Sequence, residues 1–275
     1  MILGYTFFQH ALIGGLLTCL LCGMVGTYVV TRRMVIAGGG MAHASLGGVG
    51  LSAYFGFPPL LGATLFALGT GLGIDRLTRH SRMREDSAVA MLWTLGMSVG
   101  ILFAYLTPGF TVELQAYLFG DILAITRTDI VVVGALTLAT GIFFACCSDC
   151  IAVVAYDRDF AKTQGLPVRR LETVMTALTA LTVVASLRMV GIVLVVSLLA
   201  VPQMTASLYT RTFRSMAAAS AGIGYAGCVG GLLLSYWCNV PSGAGIILFS
   251  ILIFFACKAI KTLQTRWNKI NLPSQ

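Results

Sequence analysis

The chain has 275 residues, of which 57% are hydrophobic and only 10% charged, and its formal net charge is +8. A soluble domain carries roughly 25% charged residues, so 18 basic and 10 acidic side chains cannot clothe a core of this size, and lipid must do so. The basic residues form short clusters between long apolar runs, with no stripe interleaved with aromatics, which excludes a nucleic-acid surface.

A helix needs roughly 20 apolar residues to cross a bilayer. In chain order, the runs at 8–30, 38–55, 60–77, 87–106, 130–147, 171–187, 190–209, 216–236 and 245–263 predict an all-α integral membrane protein with eight to nine transmembrane helices. No basic stretch precedes the first run, and its apolar part is about twenty residues long, which suits a spanning helix better than a signal peptide. Several runs are short, so one or two are expected to be broken or re-entrant. The runs 171–187 and 190–209 are separated only by the turn at Arg188.

Of the 18 basic residues, all but Arg127 and Arg188 fall on alternate junctions. That side is expected to be cytoplasmic. Nine spans then place the N-terminus outside and the C-terminus in the cytoplasm, within a single transmembrane domain over 1–275.

Cys19, Cys22, Cys228 and Cys257 lie in or beside apolar runs, where cysteine behaves as a small hydrophobe, not as a disulfide framework. Cys146, Cys147 and Cys150 lack a second ligand pair, and packing or lipid-facing thiols are the favoured reading. Glu85, Asp86 and Ser87 open a span, where acids favour a helix N-terminus. Glu113 and Asp121 in the long outer loop are weak candidates for an external mouth.

No Gly-Lys dipeptide occurs, so there is no phosphate-cradling loop of the Walker type, and ATP-driven transport would need another subunit to bind ATP. In the longest cytoplasmic segment, Asp159, Ala161 and Gly165 give an acid-x-Ala-x-x-x-Gly spacing. It predicts a short helix opened by Asp157 or Asp159, closed by Gly165 and stopped by Pro167. Such a helix suits docking on a partner, or it is an ordinary surface helix.

In the second run, Gly40, Ala44 and Gly48 stack as a small-x-x-x-small ridge that lets another helix approach closely. Gly39, His43 and Gly47 share the adjacent face. A histidine within a span is a functional candidate, and neutral imidazole is a common transition-metal ligand. The plainer reading is a histidine bonded to a neighbouring helix.

In order along the chain come Arg32-Arg33-Met34 with Ala42-His43-Ala44-Ser45-Leu46, Arg84-Glu85-Asp86-Ser87, Tyr117-Leu118-Phe119-Gly120-Asp121-Ile122-Leu123-Ala124, the 157–167 segment, the 190–202 stretch ending at Pro202, and Pro241-Ser242-Gly243-Ala244. In this pattern the chain resembles the permease subunits of zinc, manganese and iron ABC importers, the ABC-3 family, of the type II importer kind.

The resemblance implies a permease homodimer with two cytoplasmic ATPase subunits and an extracytoplasmic metal-binding protein, in a bacterial cytoplasmic membrane. It implies no enzyme activity and no cofactor bound by this chain: ATP sits on the partner, and the cargo is a divalent metal. It also implies that Asp159, Ala161 and Gly165 belong to the coupling helix that docks on the ATPase. By the same resemblance, His43 marks the transit site, and Gly39, Gly47 and Pro202 mark a pore or gate. Many relatives carry an Asp four residues before the histidine and a Pro four residues after it. Here those positions are Gly39 and Gly47, so the acidic partner is missing and the helix is expected to be less kinked.

The alternatives are a permease for chelated iron or vitamin B12, an ion-gradient-driven transporter, and an intramembrane enzyme. The second would need inverted repeats and buried acid–base pairs. The third would need a nucleophile–base pair or paired metal ligands.

Overall fold

The computed structural model describes residues 6–81, 83–108, 120 and 125–271. Among these the regular structure is entirely helical: α1 (Thr6–Thr31), α2 (Val35–Phe55), α3 (Pro59–His80), α4 (Glu85–Leu106), α5 (Arg127–Tyr156), α6 (Arg158–Thr163), α7 (Val168–Leu198), α8 (Val201–Ser207), α9 (Phe213–Cys238) and α10 (Ser242–Asn271). Among the described residues, seven stretches are long and apolar enough to cross a membrane, with 168–207 counted as one. The glycine-rich α2 is long enough but not among the seven. It is wedged between α3 and α4, with most of its residues buried, so it needs little lipid-facing surface.

The small-residue ridge makes that wedge possible. A Cβ on Gly48 would overlap the backbone of Gly62 in α3, and one on Gly50 would overlap Gly100 in α4. Gly96 approaches the backbone of Ala44 in the same way. Three backbone contacts of this kind bring α2 within the close packing typical of small-residue interfaces in bilayers.

Polar contacts sort the helix ends into two groups. At one end Arg32, Arg79 and Arg158 meet Glu172, and Arg214 donates to Ser148 and Asp149. The Tyr209 hydroxyl donates to the Cys257 carbonyl at 2.7 Å in the same region. At the other end Arg188 pairs with Asp129 at 3.5 Å, His10 bonds the Ile125 carbonyl, and Pro58 and Pro59 share a cavity with Val184 and Leu187.

Asp129 and Ser148 lie on one helix, roughly 28 Å apart at 1.5 Å per residue. The chain must therefore cross the full thickness between Arg188 and Arg214. It does so as two short helical pieces, Ile192 onward and α8.

That crossing differs in detail from the expected turn at Arg188. The helix runs past Arg188 to Val190 and breaks at Gly191. There φ is 75° and ψ 165°, a conformation that L side chains rarely adopt and glycine tolerates. The second discontinuity, at Leu199 and Ala200, is bridged by Gln203. This fully buried side chain donates Nε2 to the carbonyls of Leu198 at 3.0 Å and Cys22 at 2.7 Å. Broken backbone within a bilayer is tolerated when such partners satisfy its free carbonyls. Pro202 lies in the first turn of α8, where its missing N–H costs nothing.

Candidate functional site

His43 lies in α2, eight residues beyond Val35 and so roughly 12 Å along the helix from its first residue. Most of α2 is buried. Ile36, Gly39, His43 and Tyr54, at helical spacing, retain exposure and form a stripe open to the outside of the chain. Opposite Gly39 stands Val196 of the broken crossing. Its neighbours Val193 and Met204 are also exposed.

The imidazole of His43 stacks on Trp93 of α4, with ring centroids 4.6 Å apart and planes inclined by 16°. Trp93 is held in turn by its Nε1, which donates to the Met97 sulfur at 2.8 Å. Nδ1 of His43 is buried without a hydrogen-bond partner among the described residues. That separates His43 from a histidine bonded to a neighbouring helix through this nitrogen. Among the described residues no three His, Cys, Asp or Glu side chains come together to hold a metal. The described residues of one copy therefore offer a single imidazole here, not a closed site.

Gly39 packs loosely, since an added Cβ would meet only the methyls of Val196 at 3.8 and 3.9 Å. Gly47 differs from it. A Cβ there would press on Phe66 and the Gly96 carbonyl, so Gly47 faces the α3–α4 packing and not the open stripe. Pro202 is also buried, next to Gly224 and Cys19. Glu113 and Asp121 lie outside the described residues. Cys146, Cys147 and Cys150 are free thiols, exposed or partly so.

The 157–167 segment folds as its sequence suggests. Asp157 caps α6, its carboxylate accepting from the amides of Asp159 at 3.1 Å and Phe160 at 2.9 Å. Ala161 is fully buried against Val154 and Val168. Asp159 is exposed, and the hydrogen bond from Lys162 holds its carboxyl below the usual carboxylate range. Gly165 sits at φ 71° with nothing near the place of a side chain. The helix thus shows Asp159, Phe160 and Lys162 outward while Ala161 fastens it to the bundle.

The family model described as the ABC 3 transport family matches residues 4–261. The chain belongs to the ABC 3 transport family. It is 37% identical over 94% of its length to a membrane protein of Synechocystis described as uncharacterized, covering 92% of that protein. It is 33% identical to the manganese transport system membrane protein MntC of Halalkalibacterium halodurans, over 94% of this chain and 90% of the relative. Among solved structures it superposes on PsaBC from Streptococcus pneumoniae in complex with Fab with a TM-score of 0.84 and 28% identity, over 93% of this chain and 92% of that one.

The chain is thus a multi-pass ABC transporter permease. Two features of this permease escaped sequence reasoning. Trp93 lies fifty positions from His43, and its aromatic ring in an apolar run carries no mark of a partner. Glu172 is one acid beside the basic residues Arg169 and Arg170 in the sequence, yet it is 5% exposed and gathers Arg32, Arg79 and Arg158. An isolated acid just inside a predicted span was the available signal.

Proposed function

We propose that this permease is the membrane-spanning half of an ATP-driven importer of a divalent transition metal, working as a dimer of two copies in the bacterial cytoplasmic membrane. The arginine-rich end faces the cytoplasm, as the positive-inside rule requires, and the C-terminus lies there too. The whole chain acts as one transmembrane unit. ATP is bound and hydrolysed by partner subunits that dock on α6, with Asp159 and Gly165 on the docking side and Ala161 anchoring the helix to the bundle, and a separate extracytoplasmic protein delivers the metal.

The observation that carries the reading is His43. An imidazole with an unpartnered nitrogen stands on the open stripe of an otherwise packed helix. Within a span such a group is costly unless it serves a ligand. Imidazole favours transition metals, whereas magnesium and calcium call for oxygen ligands. With one imidazole per chain, two copies facing each other bring two, and the remaining positions go to water or backbone oxygen. Gly39 leaves room beside His43 and supplies no carboxylate, so metal passes through weakly held. The likeness to a manganese transport protein makes manganese the first cargo to test among manganese, zinc and iron.

Growth of a deletion strain under metal limitation tests the cargo. Rescue by added manganese alone is expected. Rescue by zinc or iron alone would reassign the metal, and a strain indifferent to all three would overturn the reading.

A further inference from the structure

We propose that Glu172 is a positioning residue that carries movement of α6 to the start of α2, the helix that bears His43, and to the part of α7 that faces it across Gly39, an inference that rests on the reading of α6 as the ATPase-docking helix. Its carboxylate joins four elements at one point. Oε1 accepts from Arg32 at the end of α1 at 3.0 Å, and Oε2 accepts from Arg79 of α3 at 2.7 Å. The Arg158 guanidinium, at the start of α6, lies 3.1 Å from Oε2. Arg79 is fixed further by Asp75, one turn before it.

The energetics make this junction stiff. A carboxylate taken out of water costs several kcal/mol when unpaired, and its removal strands three guanidinium groups together. The folded protein therefore keeps Glu172 paired through any displacement of α6, so the displacement reaches the partners. The junction also has room to rearrange. A cavity of about 90 Å³ lies beside it, lined by Tyr28, Asp75 and Glu85 together with the ion-paired groups. Nε of both Arg32 and Arg158 is buried without a partner, so each arginine has a spare donor for a second arrangement.

Two routes lead from Glu172 towards His43. Arg32 enters the three-residue turn into α2, where Met34 N donates to Val29 O, Gly38 N donates to Met34 O, and Arg33 takes φ 59°. Shifting Arg32 therefore shifts the start of α2. Glu172 itself lies in α7, whose far part beyond Gly191 presents Val196 to Gly39. The helix that carries the open stripe and the crossing that faces it are thus tied to one carboxylate.

The test uses the full complex with its ATPase and metal-binding subunits in proteoliposomes, reading manganese delivered and ATP hydrolysed in the same vesicles. Arg158→Gln leaves Glu172 paired with Arg32 and Arg79, so folding is preserved while α6 loses its tie. The expected result is normal co-purification of the ATPase, continued ATP hydrolysis, and about tenfold less manganese per ATP. Arg158→Lys, which keeps the charge, is expected to recover most of that ratio. An unchanged ratio in Arg158→Gln, or equal losses in Gln and Lys variants, would overturn the proposal. Failure of the docking reading shows separately, as a wild-type permease that does not co-purify with the ATPase.

Discussion

Trp93 lies flat against His43, with ring centroids 4.6 Å apart, and this stack is what fixes the orientation of the only histidine on the open stripe of α2. An aromatic pair of this kind contributes about 0.5–1.5 kcal/mol beyond its buried area. His43→Ala is expected to abolish metal uptake while the permease still assembles with its ATPase. Trp93→Ala is expected to lower uptake about tenfold at most, since the imidazole is left in place but free to rotate, and Trp93→Phe should keep most of the rate. Initial rates of radiolabelled manganese uptake distinguish these cases. Normal uptake by His43→Ala would remove His43 from the pathway.

Gly39 offers a gain-of-binding experiment. An added Cβ meets only the Val196 methyls at ordinary contact distance, so Gly39→Asp is sterically admissible. Residues four apart share a helix face, and the new carboxylate would stand beside the imidazole. Manganese should bind the purified variant more tightly than wild type by isothermal titration, with the gain lost in the Gly39→Asp, His43→Ala double variant. Equal affinity in all three proteins would show that positions 39 and 43 do not form a common site.

Gly48 tests the wedge. Its Cβ would collide with the backbone of Gly62, and backbone cannot swing aside as a flexible side chain can. Overpacking of this kind costs about 1–3 kcal/mol. Gly48→Ala is expected to lower the thermal unfolding midpoint in detergent by several degrees. Gly69, where an added Cβ meets nothing, should tolerate alanine without loss.

Gly165 tests the docking surface. Its positive φ makes any other residue strained by about 1–2 kcal/mol, and nothing fills the space in front of it. Gly165→Ala and Gly165→Trp share the backbone strain and differ in bulk. Co-purification with the ATPase should survive alanine and fall sharply with tryptophan. Equal retention in both would count against α6 as the contact.

Much of this architecture was legible in the sequence, and the reasons differ by residue. Apolar runs and clustered arginines reveal spans and their ends because lipid imposes both. The α6 cap at Asp157 was legible because capping is local: the carboxylate bonds amides two and three residues on. The break at Gly191 was not, since a glycine in an apolar run reads the same whether it continues a helix or ends one. Instead of turning at Arg188, the helix runs on to Val190. Glu172 pairs with Arg32 across 140 positions and with Arg79 across 93, separations that no local pattern encodes. The small-residue ridge of α2 announced a close approach without naming Gly62 and Gly100 as its partners.

The most direct test of the account is ATP-dependent manganese uptake into proteoliposomes holding the permease, its ATPase and its metal-binding protein. The account predicts uptake that requires ATP and the binding protein and is abolished by His43→Ala. Uptake that proceeds without ATP, or no uptake of manganese, zinc or iron under any condition, would contradict it.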